Sequence, residues 1–313
     1  MATQQRDATT TPEPSHRGPL QPDGCVACGC RLALTLFDIG DFHYVRCPGC
    51  GLAHLDPVPS AAELESFFDE GYFTGRRAGG YDDYARDAPL HRRNAKARVR
   101  DVMRAVAPPG RLLDVGCALG YMLEAAGRAG FEAEGVEVSP VLAQRVRAGG
   151  FRITEALALV AEEQPESFDV VTMYQVLAHV AEPDRFLADA VRCLHPGGVL
   201  LIETWNRESL VARALGRHWQ IVAPPSVVWL DARRPLELML TRAGASVVSF
   251  DVATKWVSFG FVASLLDAPQ RAESLVRIGR LLRRVPPTLG VPYALGDLVT
   301  VVARRSDGLS LAG

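Results

Sequence analysis

An aspartate and two glycines are spaced as in a ligand-binding turn in the stretch RLLDVGCALGYML, residues 111–123. The apolar run before Asp114 predicts a buried strand, and Gly116 and Gly120 bracket a turn that leads into a helix. Glycine at 116 lets the backbone approach a ligand, and the helix that follows presents unpaired N–H groups to it. The stretch lacks the Lys-Ser/Thr of a phosphate loop and the G-x-G-x-x-G of dinucleotide-binding folds. It therefore indicates a nucleotide pocket of another kind.

A second acidic residue lies about 20 residues further on, at the distance where the next strand of such folds ends. This residue is Glu137, within GFEAEGVEVSP. A carboxylate at the end of that strand can accept two hydrogen bonds from a ribose diol.

Four cysteines form two C-x-x-C pairs, Cys25 with Cys28 and Cys47 with Cys50, separated by 18 residues. Two such pairs close a tetrahedral thiolate site that leaves no open position, as structural zinc requires. The alternative, two disulfides, needs an oxidising compartment. Cys30 is a fifth thiol nearby, either a spare or a replacement for Cys28 in the ligand set.

The composition of the chain limits the classes of protein to which it can belong. The chain has 313 residues, 48% of them hydrophobic, and a net charge of −2. This balance supplies a large core and argues against nucleic acid or an anionic membrane as partner. The sequence has no apolar run of about 18 residues or more and a polar N-terminus, so we expect no membrane span and a cytoplasmic location.

The pattern between residues 108 and 313 alternates strands with helices, which predicts an α/β fold with a parallel sheet covered on both faces. Five strands are predicted over residues 111–115, 133–138, 151–154, 168–173 and 199–204. Two more, over 246–252 and 297–303, are candidates for an antiparallel pair at the end of the sheet.

The order Asp114, Gly116, Gly120, Glu137 resembles the cofactor-binding half of the class I S-adenosylmethionine-dependent methyltransferases. SFDVVTMYQVLAHV and LHPGGVLLIETWN resemble that family's fourth and fifth strands, so the likeness covers about 100 residues. It implies a Rossmann-like seven-stranded sheet, mostly parallel with an antiparallel last strand, and S-adenosylmethionine as cofactor. Another doubly wound nucleotide-binding fold is the alternative.

Residues 45–73 resemble the zinc ribbon and linker of a bacterial branch of these enzymes that acts on small molecules. Zinc-ribbon ribosomal-RNA methyltransferases supply a rival interpretation. The resulting domain prediction is a disordered tail over 1–22, a zinc ribbon over 23–56, a helical linker or cap over 57–107 and the methyltransferase domain over 108–313. Tyr72, Tyr81 and Tyr84 of the cap either line the cofactor entrance or pack the ribbon onto the main domain.

The resemblance also implies a set of cofactor-binding residues. Asp114 and Gly116 would meet the methionine moiety, Glu137 the ribose, and the turn at Ala156 and Leu157 the adenine, without the acidic residue that relatives often carry there. The methyl group would leave past Met173, Tyr174 and Gln175. The complete predicted set is Asp114, Gly116, Cys117, Gly120, Glu137, Val138, Met173 and Tyr174.

His179 is the candidate general base, because imidazole titrates near neutrality and relatives carry Glu-His where this chain has Ala178-His179. The alternative is that His179 caps or packs a helix start. Relatives also carry a Pro-Pro-x-His element, and this chain has Val227 in place of its histidine. Trp205, Trp219 and Trp229 predict a flat or partly hydrophobic acceptor.

The predicted function is methylation of a small molecule, a specialised metabolite or sugar, more readily at oxygen than at carbon or nitrogen. The two departures from the family's polar positions keep a second class open, a non-methylating catalyst or partner protein on the same fold. The ribosomal-RNA interpretation requires a basic stripe with aromatic platforms, and the acidic balance argues against it.

Overall fold

The N-terminal cysteines lie in turns next to a small antiparallel sheet. The structure, a computed structural model, describes residues 24–68, 84–266, 273–286 and 288–307. The tail predicted over 1–22, Tyr72 and Tyr81 lie outside these ranges. The first three strands of the small sheet are β1 (Leu34–Ile39), β2 (Phe42–Arg46) and β3 (Ala53–Asp56).

Two helices of the described residues lie between this ribbon and the main sheet. Helix α1 (Ala61–Phe67) begins with a capping box in which Ser60 and Glu63 each bond the other's backbone N–H. Helix α2 (Ala88–Ala105) starts with Pro89 in its first turn and presents apolar residues to the main sheet.

The main sheet has seven strands, and its order and directions confirm the fold class predicted from the sequence. The strands are β4 (Gly110–Val115), β5 (Phe131–Val136), β6 (Ile153–Thr154), β7 (Phe168–Tyr174), β8 (Leu194–Trp205), β10 (Ala245–Val252) and β13 (Leu298–Arg305). Their order is β10-β13-β8-β7-β4-β5-β6. Strands β4 to β8 are parallel, and β13 pairs antiparallel with both β8 and β10.

The core lies on both faces of this sheet. Leu112 of β4 faces α2, whereas its neighbour Leu113 belongs to a cluster on the other face. The covering helices are α3 (Tyr121–Arg128), α4 (Pro140–Ala148), α5 (Leu157–Glu163), α6 (Pro183–Cys193) and α8 (Arg233–Arg242), with the short α7 (Leu210–Leu215) after β8. Residues buried on both faces explain why these strands are almost continuously apolar.

Two insertions extend this scaffold over the carboxyl ends of the strands. The first, between β8 and α8, contains β9 (Trp229–Leu230), which pairs with β3 and becomes the fourth strand of the ribbon sheet. The second contains the hairpin of β11 (Lys255–Ser258) and β12 (Gly290–Tyr293), with α9 (Phe259–Leu266) and α10 (Glu273–Leu282) between them. Among the described residues, no helix has the length and apolarity needed to cross a bilayer.

Strand boundaries differ from the prediction at three places that matter for the site. Strand β5 ends at Val136, so Glu137 lies just past the strand. Strand β7 continues to Tyr174, and β8 begins at Leu194, five residues before the predicted start. The sequence PGG hid this early start, because Gly197 takes a positive φ of 78° at an irregularity in the pairing of β7 with β8.

Candidate active site

The turn after β4 has the conformation that its glycines require. Gly116 and Gly120 have φ of 74° and 75°, and Ala118 between them has φ of 48°. The N–H groups of Gly116 and Cys117 both donate to the carbonyl of Val136, at 2.8 and 3.0 Å. A Cβ at 116 would lie 2.5 Å from a methyl of Val176, so only glycine fits. The turn is therefore held tightly against the end of β5.

Glu137 lies beside this turn and is almost fully buried. Its Oε2 accepts the N–H of Ala118 at 2.8 Å, and its Oε1 accepts the N–H of Ser139 at 2.9 Å. Burial raises the pKa of Glu137, and these two donors oppose the rise. Each carboxylate oxygen keeps a second lone pair. The side chain is therefore oriented by the backbone and can still accept hydrogen bonds from a ligand.

A cavity of about 1270 Å³ opens from this point across the carboxyl ends of the strands. It is larger than the 300–1000 Å³ or so typical of one small-ligand pocket, so it has room for two ligands side by side. Gly116, Glu137, Val138 and Tyr174 of the predicted set line it, as does the turn at Ala156 and Leu157.

Other members of the predicted set lie elsewhere. Asp114 and Cys117 line an adjoining cavity of about 50 Å³, which shares Tyr84 and Tyr174 with the large one. Asp114 accepts the hydroxyl of Thr172 at 2.7 Å, and burial raises its pKa to about 7. Gly120 precedes α3 and lines neither cavity.

The prediction that Met173 faces the cavity is wrong for its side chain. Met173 is fully buried in the core with Leu113 and Val171. Side chains alternate along a strand, so the residue after it, Tyr174, points to the cavity side. The hydroxyl of Tyr174 is buried and has no hydrogen-bond partner among the described residues.

His179 lies on the wall of the large cavity, at the end of a 3-10 turn that begins at Leu177. Its Nδ1 is 2.5 Å from the carbonyl oxygen of Ser226. Because a carbonyl only accepts, Nδ1 carries the proton, and Nε2 of the neutral ring is a free base. Burial lowers the pKa of His179, and the bond to Ser226 opposes this. The imidazole is therefore neutral at pH 7.

A polar cluster that the sequence did not predict lies on another part of the same wall. Arg98 of α2 pairs with Glu203 of β8, and the Nε2 of Gln175 donates to the Oε1 of Glu203 at 2.8 Å. Lys255 donates to the Oε1 of Gln175, also at 2.8 Å. Gln175 has a φ of 61°, a strained conformation that proteins tend to keep at functional sites. A carboxylate within the apolar run VLLIETW was the one sequence signal for this cluster.

The two cations of the cluster, Arg98 and Lys255, differ in how fully their charge is compensated. Burial alone would raise the pKa of Glu203, but Arg98 and Lys255 hold it below the ordinary value. Burial lowers the pKa of Lys255 to about 8, and Glu203 offsets only part of this effect. Arg98 is thus neutralised by its partner, whereas the ammonium of Lys255 is less well compensated.

The tryptophans divide between the cavity and the core. Trp205 lines the cavity as predicted, and so does Trp256. Trp219 and Trp229 do not, because their indole N–H groups are bonded inside the protein, to Asp297 at 2.8 Å and to the carbonyl of Val180 at 2.7 Å. Tyr84 lines the cavity and stacks on His91, with ring centroids 4.0 Å apart.

The four predicted zinc ligands are brought together at the tip of the ribbon. Their sulfur atoms all lie within 4.8 Å of one another, with Cys25 3.6 Å from Cys50 and Cys28 3.5 Å from Cys47. Tetrahedral zinc with Zn–S bonds of about 2.3 Å requires sulfurs roughly 3.8 Å apart, so this donor set fits zinc. Cys30 stands outside the cluster and contacts the carbonyl of Leu32.

The sheet order and the pocket at the carboxyl ends of β4 and β5 define the class I S-adenosylmethionine-dependent methyltransferase fold. A family model described as "Methyltransferase domain" matches residues 89–250, more than half of the chain. The chain therefore belongs to the methyltransferase domain family.

Sequence relatives agree with this membership. A "Ubiquinone biosynthesis O-methyltransferase" of Xanthomonas campestris pv. campestris (strain B100) is 35% identical over 127 residues, which cover 38% of this chain and 53% of the relative. A protein of the same name from Caulobacter sp. (strain K31) is 32% identical over 203 residues, 57% of this chain and 80% of the relative. The chain thus spans about half of the first relative's length and most of the second's.

Solved structures show the fold alone, since their sequences are distant. One chain in a complex of the Haloferax volcanii Trm112 methyltransferase activator with a methyltransferase matches at a TM-score of 0.52 and 16% identity, covering 78% of this chain and 98% of that chain. The YcgJ protein of Bacillus subtilis matches at a TM-score of 0.50 and 12% identity, covering 69% and 100%.

Proposed function

We propose that the protein transfers a methyl group from S-adenosylmethionine to an oxygen of a small molecule. The observation that carries the proposal is the position of Glu137, which is fixed by two backbone donors beside the Gly116 turn at the mouth of a cavity large enough for a second ligand. The relatives named as O-methyltransferases support oxygen as the acceptor atom.

The described residues fit the cofactor. Glu137 can accept hydrogen bonds from the ribose hydroxyls, and Gly116 allows close approach of the ligand to the backbone. The hydroxyl of Tyr174, a residue that lines the cavity, is buried without a partner among the described residues, and a polar ligand would satisfy it. When bound, S-adenosylmethionine supplies an electrophilic methyl group on a sulfonium sulfur.

The chain's own contribution to the reaction is orientation and proton removal. The cavity walls hold the acceptor against the cofactor and exclude water. The free Nε2 of His179 takes the proton of the acceptor hydroxyl, while the carbonyl of Ser226 keeps the imidazole in the tautomer that can do so. We propose a specialised metabolite or a sugar as the acceptor, and the apolar wall with Trp205 and Trp256 supports a partly hydrophobic one.

We further propose that Cys25, Cys28, Cys47 and Cys50 hold a structural zinc ion. Four thiolates leave no open coordination position, so the ion would stabilise the ribbon and take no part in the reaction. We also propose the domain limits predicted from the sequence, with one extension: the ribbon sheet includes β9, far outside 23–56.

The cofactor assignment is tested by replacing Glu137. We expect Glu137→Ala to weaken the binding of S-adenosylhomocysteine about tenfold, equivalent to about 1.4 kcal/mol, because the ribose loses its acceptor. Calorimetric titration measures this loss. Glu132→Ala, an exposed glutamate on the same strand, is the matched control and should bind as the wild type does. Equal affinities for Glu137→Ala and the wild type would refute the assignment.

A further inference from the structure

Lys255 is held at the wall of the large cavity by a rigid part of the fold. It begins β11, and the next residue, Trp256, is tied to α2 by two hydrogen bonds with the Asn94 side chain, at 2.7 and 2.8 Å. Ser258 of the same strand donates to Asp87 at 2.7 Å. The backbone that carries Lys255 is thus anchored at both ends of the strand.

The ammonium of Lys255 has unused binding capacity. It has three N–H donors, and among the described residues only Gln175 accepts one of them. The two carboxylates in its surroundings are bonded to other groups: Glu203 to Arg98, and Asp297 to Trp219 and Tyr293. No described carboxylate lies within ion-pair distance of Lys255.

The choice of lysine at this position stands out in a chain that otherwise uses arginine. The sequence contains only two lysines, Lys255 and Lys96. Lys96 is exposed on α2, whereas Lys255 lines the cavity. A lysine presents a compact cation on a flexible stem, suited to one small anionic atom, whereas arginine presents a planar fork.

Aromatic side chains surround this cation on the cavity wall. The Nζ of Lys255 lies 4.8 Å from the ring centre of Trp205 and 5.8 Å from that of Phe261. Trp205 and Phe261 both line the cavity. A planar ligand can therefore pack on an aromatic surface while one of its oxygens approaches the ammonium.

We propose that Lys255, Trp205 and Phe261 form a subsite for an aromatic acceptor that carries an ionised oxygen, a phenolate, in addition to the hydroxyl that is methylated. The anion would compensate the half-buried cation, and the rings would hold the plane of the acceptor. The subsite binds the acceptor and transfers no group. This inference rests on the proposed methyltransferase function, because it names the class of acceptor for the same cavity.

The test uses 4-nitrophenol as the probe, since its ionised form absorbs visible light, and 4-nitroanisole as its neutral counterpart. We expect the wild type to bind the phenolate saturably and more tightly than the anisole. Lys255→Met should weaken phenolate binding about tenfold, the loss expected for a charge-assisted hydrogen bond, and leave anisole binding unchanged. Lys255→Arg should restore most of the phenolate affinity.

Lys96→Met is the matched control and should bind both probes as the wild type does. The proposal is overturned if Lys255→Met binds the phenolate as tightly as the wild type, or if the wild type shows no preference for the phenolate. Titration of the wild type and each variant with S-adenosylhomocysteine tests cofactor binding independently, so failure of the subsite proposal can be told apart from failure of the proposed function. If the wild type does not bind S-adenosylhomocysteine but still binds the phenolate in a Lys255-dependent way, the methyltransferase proposal is refuted and the subsite proposal is not.

Discussion

Substitution of Cys47 by serine is expected to remove one tightly bound zinc ion per chain and to unfold the N-terminal ribbon. Cys47 is buried, and its sulfur lies within the four-thiol cluster. Structural zinc contributes about 10–16 kcal/mol in small zinc domains, far more than a four-stranded sheet of this size can supply by burial. Metal analysis and limited proteolysis of the purified protein measure the two effects.

The damage should extend from the ribbon to the acceptor side of the cavity. The hydroxyl of Tyr44 donates to the carbonyl of Val227 at 2.5 Å, and the N–H of Leu55 donates to the carbonyl of Val228 at 3.0 Å. The neighbouring carbonyl of Ser226 holds His179. We therefore expect Cys47→Ser to lose methyl transfer and to retain binding of S-adenosylhomocysteine, whose proposed contacts come from β4 and β5.

Cys30→Ser is the matched control for this prediction. Cys30 lies close to the cluster in the chain and outside it in the structure, so the serine variant should keep its zinc and its activity. Full zinc content in Cys47→Ser, or loss of zinc from Cys30→Ser, would show that the ligand set is wrong.

Replacement of His179 by glutamine is expected to lower kcat about 100-fold and to change the KM for S-adenosylmethionine little. Glutamine can keep a hydrogen bond to the Ser226 carbonyl and cannot take a proton. General base catalysis contributes about 10²–10⁴ in rate, and we take the lower end because phenols give up their protons readily. Steady-state kinetics with a phenolic acceptor found by screening measures the loss.

Acceptor acidity distinguishes a base from a residue that only packs. The loss in His179→Gln should shrink for more acidic phenols, which ionise without help, whereas a packing defect would affect all phenols alike. His195→Gln is the matched control, because His195 pairs with Asp169 outside the cavity and its loss should not affect kcat. A wild-type kcat in His179→Gln would remove His179 from the mechanism.

The sequence predicts those parts of the site whose residues lie close to one another in the chain. The glycine turn and Glu137 follow from local strand and turn patterns, and the structure places them side by side. The cysteine pairs carry their own spacing rule, and all four sulfurs meet. The prediction for the Met173 side chain was wrong by one position, because it ended β7 one residue early.

The remainder of the site depends on contacts that no local pattern encodes. Arg98 and Glu203 are 105 positions apart, and Lys255 reaches back 80 positions to Gln175. Strand β9 has only two residues, too few for a periodic signal, and it acquires its conformation by pairing with the ribbon. Trp219 and Trp229 are large aromatic residues of the kind that line pockets, and only the buried partners of their indole N–H groups show that they belong to the core.

A crystal structure of the zinc-loaded protein with S-adenosylhomocysteine tests the central claim most directly. We expect the ribose on the carboxylate of Glu137, the adenine at the turn of Ala156 and Leu157, and the sulfur directed toward Tyr174 and the part of the cavity that contains His179 and Lys255. A ligand bound elsewhere, or a sulfur directed away from that part of the cavity, would contradict the proposed function.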